Sequence, residues 1–517
     1  MGAFALSRGG AQKRSSWMLP GAFTRPQLAL VVVFPILSGC ILDSPKPTLD
    51  VDTPAAYRAA RAGPAPPPSI DWPRQFHSAE LTRLAADAQA GNLDIAAAIA
   101  RIAQADAQAK IASAALYPML NATGNAQRAF TPGTLHNKDH PFKTSAENLF
   151  SLGLTASYEV DFWGLNAANA RAGRLNAEAS RFDRDVVALT TAASVGNTYF
   201  EILGAQDRLR IARGNTATAE RALAAIKSRL AVGTGTAIDV AQEESVVATQ
   251  RAAIPPLQQT VEQSKNLLAV LMGRTPESGS IHGGSLDRLA APRVPPGIPS
   301  ELLLRRPDVA EAEAKLAAQN ASVYAARAAF FPNIQLTAQG GVESLLLRSL
   351  FHSDAVFGDI AAGITQPIFN GFNLQGQLEL QQGMQAELLQ TYRKAIIQAF
   401  TDVENALIAI EQTASHERLQ SDVVAASRKA YQLTEQQLHE GTIDITTLTT
   451  IQQTLFQAED LLSQIRLQRF QAIVSLYQAL GGGWTRDIYP VTADDQPATE
   501  PGLVSPPGFT HGPGGTQ

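Results

Sequence analysis

The sequence of 517 residues predicts an α+β membrane protein, in which long paired helices continue into the wall of a transmembrane β-barrel. Two proline-free stretches, from 164 to about 228 and from 371 to about 438, carry apolar residues at heptad spacing, which is typical of helices packed lengthwise. Four segments of about ten residues alternate polar and apolar positions, as two-faced strands do. Related motifs recur in the two halves, which indicates an internal two-fold repeat.

The first 39 residues have the pattern of a bacterial signal peptide. Their charged residues are all basic, and an apolar core of about ten residues follows, too short to cross a bilayer as a helix. The core ends in Leu37-Ser-Gly-Cys40, which resembles the lipobox of bacterial lipoproteins and contains the only cysteine. We expect cleavage before Cys40 and attachment of a diacylglycerol and an N-acyl lipid to it. The alternative is a chance cysteine at an ordinary cleavage site.

The residue after Cys40 is Ile41, where many lipoproteins retained in the inner membrane have Asp. We therefore expect the mature protein in the outer membrane of a Gram-negative bacterium, with a periplasmic extension. Residues 40–76 are rich in proline and are expected to form an extended, lipid-anchored strap. The remaining boundaries place a first repeat at 77–275, an equatorial linker at 276–299, a second repeat at 300–483 and a disordered tail at 484–517.

Each long helix is expected to turn back at a glycine and return as a second helix. The turns are Gly233 in the first repeat and Gly441 in the second, 208 residues apart. Each repeat therefore contains an antiparallel helical hairpin about 100 Å long. Pro255 and Pro256 should break the returning helix of the first hairpin.

The four alternating segments are 119–130, 150–162, 333–343 and 357–369. This length suits a tilted strand that crosses a bilayer, and the alternation suits a barrel with a wet lumen and a lipid-facing exterior. Four strands cannot close a membrane barrel, because the smallest bacterial barrels have eight. We therefore expect several copies to share one barrel. Three copies would satisfy closure, although the strands alone do not determine the number.

Composition and motifs argue against several other classes. A single cysteine excludes a disulfide framework, and 47 acidic against 42 basic residues disfavour nucleic acid as a partner. The sequence has no phosphate-binding glycine loop, dinucleotide fingerprint or nucleophile elbow. His136 and His140 have helical metal-ligand spacing but lie in loop sequence. We expect no catalytic residue, no metal and no cofactor other than the lipid on Cys40.

Three stretches resemble the TolC-like outer-membrane efflux factors, in particular their lipoprotein branch. Residues 297–309 read GIPSELLLRRPDV, residues 158–164 read YEVDFWG and residues 366–371 read QPIFNG. The resemblance implies a homotrimer with a twelve-stranded barrel in the outer membrane and a tunnel of helices in the periplasm. It further implies a periplasmic adaptor protein and an inner-membrane pump of RND type as partners, with small toxic compounds as cargo.

Prolines and glycines mark the expected joints between helices and strands. Pro118 and Pro332 stand where a helix should become a strand, because proline removes a backbone donor and disfavours helix in the preceding residue. Gly164 and Gly371 stand where a strand should return to a helix, where a side chain would crowd the turning backbone. Arg305, Arg306 and Asp308 begin the helix that follows the linker, and we expect surface salt bridges from them.

The resemblance makes the hairpin turns the candidates for a periplasmic tip and gate. Family members often place carboxylates several residues after the second turn's glycine, where this chain has Thr447 and Thr450. Asp239 matches the family's pattern after the first turn and is expected to cap its helix or to link neighbouring helices. Glu440 and Asp444 are the remaining acidic candidates for a cation-selective gate. The gate candidates are Gly233, Asp239, Glu440, Gly441, Asp444, Thr447 and Thr450.

Two other functions remain open at this level. One is a channel of another export class, such as type I protein secretion, which shares the fold. The other is a lipid-anchored periplasmic coiled-coil spacer without a pore. The lipobox and the motif at 297–309 favour efflux over secretion, and the four alternating segments argue against a spacer.

Overall fold

The computed structural model describes residues 51, 54, 56–58, 69, 71–131, 145–278 and 281–486. They form mostly helices and a single four-stranded sheet. The helices are α1 (Ala79–Gly91), α2 (Leu93–Ala114), α3 (Leu165–Ala231), α4 (Ala237–Ala252), α5 (Ile254–Leu271), α6 (Pro307–Ala328), α7 (Asn373–His439) and α8 (Ile445–Ala479). The strands are β1 (Met119–Thr131), β2 (Ser145–Val160), β3 (Asn333–Ser344) and β4 (Val356–Thr365).

The helices α3 and α7 have 67 residues each and are therefore about 100 Å long. Helix α3 is packed along its length by α2, α4, α5, α6 and α8, and α7 lies chiefly against α6 and α8. Neither helix has a strong one-sided hydrophobic pattern, because small residues such as alanine form much of the contact surface. Such helices depend on their neighbours for stability.

The returning helix of the first hairpin is broken and that of the second is continuous. Helix α4 ends at Ala252 and α5 begins at Ile254, with Pro255 and Pro256 in its first turn. The two prolines cannot donate to the preceding turn, which confirms the predicted break. Helix α8 runs for 35 residues without interruption.

The four strands form one antiparallel sheet in the order β1-β2-β3-β4. Strand β2 pairs with β3 from Phe150 opposite Ser344 to Val160 opposite Ile334. The two halves of the chain therefore meet in the middle of the sheet, although the helices α3 to α6 separate β2 from β3 along the sequence. Strands β1 and β4 are the two edges.

The largest apolar core lies around the middle of α3. Phe200 of α3 contacts Phe76 and Phe470, with ring centroids 4.9 and 5.1 Å apart. Trp72 stacks on Tyr477 of α8 with centroids 5.1 Å apart. Trp72–Phe76 is a 3₁₀ helix at the end of the predicted strap. The strap prediction is therefore wrong at this end, because these aromatic side chains are buried core residues.

Further boundaries differ from the sequence prediction, among them that of the second strand, which was expected at 150–162 and runs from Ser145 to Val160. The predicted tail begins at 484, but Trp484 is buried against Phe182 and its Nε1–H donates to Asp185 Oδ2 at 2.9 Å. The fourth strand ends at Thr365 and not at 369. Pro367 explains this end, because proline has no N–H for the sheet.

Candidate functional site

The sheet has one apolar and one polar face. Neighbouring side chains along a strand point to opposite faces, and directly paired residues share a face. One face pairs Leu120 with Ala156, Tyr158 with Leu336, and Ala338 with Ile360. Ile360 is 89% exposed in the single chain. A continuous apolar surface of this kind, open to the surroundings, suits contact with lipid.

The polar face carries serine, threonine, asparagine and glutamine in register, for example Asn121 opposite Thr155 and Ser157 opposite Thr337. Its charged residues within the strands are all acidic: Glu147, Glu159, Glu343 and Asp359. The single basic residue of the four strands, Arg128, lies on the other face above the ring of Phe130, 5.5 Å from its centroid. The polar face is therefore suited to contact with water and cations.

The apolar face has the height of a membrane. From Phe150 to Val160, β2 advances ten residues, or about 33 Å along the strand. At the tilt of about 40° usual in membrane barrels, this corresponds to a height of about 25 Å, which matches their apolar band. Beyond Phe150 this face carries the polar residue Asn148 opposite the charged residue Arg128. We therefore place the end of the apolar band at this pair.

The joints between sheet and helices are tied to each other across the two halves of the chain. Trp163 Nε1–H donates to the carbonyl oxygen of Pro332 at 2.8 Å, and its ring stacks on Phe331 with centroids 4.7 Å apart. Gln366 Nε2–H donates to the carbonyl oxygen of Phe330 at 3.0 Å. Three joints therefore form one connected group: β2 to α3, α6 to β3 and β4 to α7.

Asp161 starts α3 by capping its first turn. Its carboxylate oxygens accept from the backbone N–H of Asn166 at 3.0 Å and of Ala167 at 2.7 Å. Sequence reasoning used Asp161 and Trp163 only as parts of a motif and missed these roles. An acidic residue just before a long helix is the available signal for the cap.

The structure places Pro118 and Pro332 immediately before β1 and β3. Gly164 and Gly371 stand before α3 and α7 with φ of +76° and +64°. The expected reason for these glycines was crowding, but a Cβ at Gly371 would meet nothing within 4 Å. The left-handed backbone, which disfavours a Cβ, is the reason at both positions.

The first hairpin turn is held by a capping box. Thr236 Oγ1 accepts from Asp239 N–H at 3.2 Å, and Asp239 Oδ2 accepts from Thr236 N–H at 2.8 Å. Asp239 is thus a helix cap. Gly233 has φ of +79° and ends the preceding helix. Arg229 Nη1–H donates to the carbonyl oxygen of Leu438 at 3.1 Å and so links the first tip to the second.

The second hairpin turn is capped by Asp444. Its Oδ1 accepts from Thr447 N–H at 2.9 Å and from the Thr447 hydroxyl at 2.6 Å. The bonds from the Thr447 side chain and backbone hold the pKa of this exposed carboxyl below its usual range. Gly441 has φ of +75°, and Glu440 accepts from Gln436 Nε2–H at 3.1 Å.

The remaining tip candidate, Thr450, donates its hydroxyl to the carbonyl oxygen of Thr446 in the preceding helical turn at 2.9 Å. The structure thus brings the seven candidates to the two adjacent tips. Within one chain they form no cluster of carboxylates. A role for any of them in a gate stays a prediction.

Arg306 is buried, so the expected surface salt bridge is wrong for this residue. It is 8% exposed and pairs with Asp308 at 2.7 Å and Asp402 at 3.0 Å. Its Nη1–H also donates to the carbonyl oxygen of Ala479 at 3.2 Å. Burial by itself lowers the pKa of the guanidinium, but its two carboxylate partners outweigh burial and raise it. Arg306 therefore joins α6, α7 and α8.

Several expectations fall outside this geometry. Cys40, His136 and His140 lie outside the described residues. Among the described residues no group of three or more His, Cys, Asp or Glu side chains has the arrangement of a metal site. The helices that the structure describes include none that is both long and apolar enough to cross a membrane.

Known proteins share this arrangement over nearly the whole chain. The outer membrane efflux protein family matches residues 84–274 and 298–482. The pyoverdine export outer membrane protein OpmQ of Pseudomonas aeruginosa is 37% identical over 462 residues, which cover 87% of this chain and 97% of OpmQ. The chain belongs to the outer membrane efflux protein family. The predicted resemblance to the TolC-like efflux factors is thereby confirmed.

Two further comparisons agree with this assignment. The probable outer membrane lipoprotein SilC of Salmonella typhimurium is 28% identical over 465 residues, which cover 88% of this chain and 98% of SilC. The crystal structure of the open state of the Neisseria gonorrhoeae outer membrane channel MtrE has a TM-score of 0.77 at 28% identity and covers 87% of this chain and 99% of MtrE. The fold is that of the TolC-like channels, with a helical part and a β domain.

The family assignment settles the class of function and the location. The chain is an efflux channel protein of the outer membrane, as predicted, and its family consists of transporters rather than enzymes. The alternatives of a protein secretion channel and of a spacer without a pore are both less compatible with these relatives. The polar face of the sheet and the two tips are accordingly the candidate conduit wall and the candidate inner end.

Proposed function

We propose that three copies of this chain form the exit duct of a tripartite efflux pump, which passively conducts small toxic compounds to the exterior. The observation that carries the proposal is the two-faced sheet, joined through the group around Trp163 to helices about 100 Å long. One wall with a wet side and a lipid side thus continues into the periplasm. Its inner end is formed by the two tips.

Closure of the barrel supports three copies. The edges β1 and β4 leave backbone groups unpaired in a single chain, which a membrane does not tolerate. Four strands per chain give twelve in a trimer, within the range of bacterial barrels. In this arrangement the edge strand β4 of one copy pairs with β1 of the next. The polar faces then line a shared lumen.

The partners follow from the position of the two tips. A duct of this length has its inner end far from the outer membrane, where a periplasmic adaptor and an inner-membrane transporter, which we assign to the RND type, meet it. The lipid on Cys40 would add an anchor beside the barrel, because several acyl chains hold a protein firmly. The duct itself has no energy source, so transport energy comes from the inner-membrane partner.

The cargo class rests on the lumen and on the relatives. OpmQ is a pyoverdine export protein and SilC a probable outer membrane lipoprotein. The polar face carries four carboxylates and no cation within the strands. We propose that the cargo consists of small polar or cationic compounds, because an acidic polar wall does not repel them. Selection among such compounds is made by the inner-membrane pump.

The test combines the mass of the purified particle with its conductance. The mature protein in detergent should have the mass of three chains and should conduct in planar bilayers. Asp359→Asn, on the polar face, should lower cation over anion selectivity, while the control Asp354→Asn, outside the strands, should leave it unchanged. A conducting particle of another mass would overturn the trimer, and a folded trimer that never conducts would overturn the duct.

A further inference from the structure

A carboxyl group lies fully buried between the two hairpins, close to their tips. Glu243 of α4 is 0% exposed and faces Gln452 of α8, which is also 0% exposed. The same part of the two hairpins holds a cluster of buried apolar side chains from four helices. They include Ile226 of α3, Val247 of α4, Tyr431 of α7 and Leu448 of α8.

The polar atoms of this pair are poorly satisfied. Glu243 Oε2 accepts from the Thr449 hydroxyl at 3.3 Å. Glu243 Oε1 and both side-chain amide atoms of Gln452 have no hydrogen-bond partner among the described residues. Gln452 lies near enough to affect the titration of Glu243, but the two side chains make no bond of normal geometry. Buried polar atoms without partners are costly and therefore informative.

The unpartnered atoms complement each other in one protonation state only. A protonated carboxyl has an O–H donor for Gln452 Oε1 and an acceptor for Gln452 Nε2–H. An ionised carboxylate has acceptors only and would leave Gln452 Oε1 without a donor. Small rotations of the two side chains could complete the pair in the protonated state, at a contact between the two hairpins.

No cation of the packed helices neutralises Glu243. On α3, Lys227 pairs with Glu244 at 2.7 Å and Arg221 donates to Thr218 at 3.1 Å. Several other charged groups near this contact also have partners of their own. Arg251 of α4 pairs with Glu220 of α3, Glu435 of α7 accepts from the Tyr431 hydroxyl, and Asp239 and Asp444 cap their own helices.

On α7, the side chain of Tyr431 lies close enough to Glu243 for the carboxylate charge to raise the pKa of the tyrosine hydroxyl. Burial, with Glu435 and Glu243 nearby, raises its pKa to about 12, so it stays neutral near pH 7. Because Glu243 is enclosed by helices of its own chain, a neighbouring copy cannot bring a counter-charge to it. Burial raises the pKa of the Glu243 carboxyl, and the nearby side chains of Thr449 and Gln452 offset this only in part.

We propose that Glu243 is a proton-controlled contact between the two hairpins, which stay packed while its carboxyl is protonated and separate when it ionises. The proposal rests on the proposed duct, because it assigns this contact to the regulation of the inner end. The proton passes between Glu243 and water, which enters as the helices part.

The direction of the pH dependence follows from the buried state. Packing raises the pKa of this carboxyl above the value that it has in water when the hairpins are separated. Below the pKa in water, its full contribution to the packed state is present. The contribution is lost as pH rises through the raised pKa of the packed state. Within this interval, each pH unit changes the ratio of separated to packed hairpins by up to about tenfold. The tips should therefore tighten in acid and loosen toward neutral pH.

The experiment records single-channel open fraction of the purified full-length protein from pH 4.5 to pH 8. The wild type should open more as pH rises. Glu243→Gln, which keeps the size and cannot ionise, should hold a low open fraction across the range. The matched control is Glu244→Gln, an exposed neighbour on the same helix, which should keep the wild-type pH dependence.

A second readout does not require conduction. Amide hydrogen exchange of α4 and α8, corrected for the intrinsic pH dependence of exchange, should speed up with rising pH in the wild type but not in Glu243→Gln. Exchange that responds to pH equally in both proteins would overturn the role of Glu243, as would a wild type without any response. Failure to conduct at every pH, with the expected exchange pattern, would instead count against the duct alone.

Discussion

The two halves of the chain differ in how completely they are packed within one copy. Helices α3 and α7 have the same length of 67 residues. In α3 the buried side chains begin with Asn166, its second residue, whereas α7 has none before Ile396. The first half therefore finds its neighbours inside the chain, and the membrane-side portion of α7 does not.

The same contrast appears at the joints. The joint at Gly164 is stabilised by hydrogen bonds of Asp161 to the first turn of α3 and of Trp163 to the carbonyl oxygen of Pro332. The joint at Gly371 leaves Phe369 and Phe372 exposed. Helix α7 continues this open surface with Ile397, Ile408 and Leu419, which recur every 11 residues on nearly one face and are all exposed. The second half thus presents the apolar surface that a neighbouring copy would cover.

The strongest test of this contrast is to place charge on the open surface of α7. The double variant Ile408→Glu and Leu419→Glu should prevent assembly, because burying two carboxylates in the interface costs far more than it gains. The mass in detergent should fall to that of one chain. The control, Ser421→Glu with Gln432→Glu, adds the same charge at the same spacing, at exposed polar positions on another face of α7, and should keep the mass of the assembly. Equal masses for both variants would place the contact elsewhere.

The next largest effect concerns the link inside the second half. Arg306→Met should lower the free energy of unfolding by about 3 kcal/mol, because it leaves Asp308 and Asp402 without their shared partner. Arg305→Met is the matched control. It removes a partly exposed pair with Glu301 and should cost less than about 1 kcal/mol. Denaturant unfolding followed by circular dichroism measures both, and equal losses would contradict the buried network.

A smaller effect separates the two joints. Gly164→Ala and Gly371→Ala should each cost about 1–2 kcal/mol, because both residues have positive φ. Only Gly164 has a neighbour at its Cβ position, the ring of Tyr324 at 3.4 Å, so its variant should be the less stable. Asparagine tolerates this backbone better, and Gly371→Asn should recover part of the loss in the same unfolding measurement. A larger loss at Gly371 would reverse this order.

The smallest effect concerns the cap of the second tip. The pKa of Asp444 is held low by Thr447, so its contribution to the cap is present above the ordinary aspartate range and disappears only as pH falls through the lowered value. Corrected for the intrinsic pH dependence of exchange, the protection of the Thr447 amide should persist at pH 4 and fall in stronger acid. Asp444→Asn, which can still accept but cannot titrate, should remove this pH dependence.

The architecture could be predicted because it follows local rules. Alternation along the four segments revealed the strands, Pro118 and Pro332 marked the joints, and Gly233 and Gly441 marked the turns. The caps at Asp161 and Asp444 follow equally local rules and were within reach. Each of these signals lies within a few residues of the element that it determines.

The burial of Arg306 and Glu243 could not be predicted in the same way. Whether either side chain faces water depends on helices that lie more than 90 residues away along the chain, such as the Arg306 contact with Asp402 and the Glu243 contact with Thr449. A heptad pattern indicates which residues line a seam but not which other helix covers them. The proposed contact of α7 with neighbouring copies likewise cannot be predicted from a single-chain pattern.

The break between α4 and α5 gives the two hairpins different mechanics. Helix α4 has 16 residues between the break and the first tip, so it forms a lever of about 24 Å. A rotation of about 10° at Pro255 would move its free end by about 4 Å without bending α5. The uninterrupted helix α8 has no such break, so it should move as one rigid element. A periplasmic partner that pushes on both tips would therefore displace the first more readily than the second.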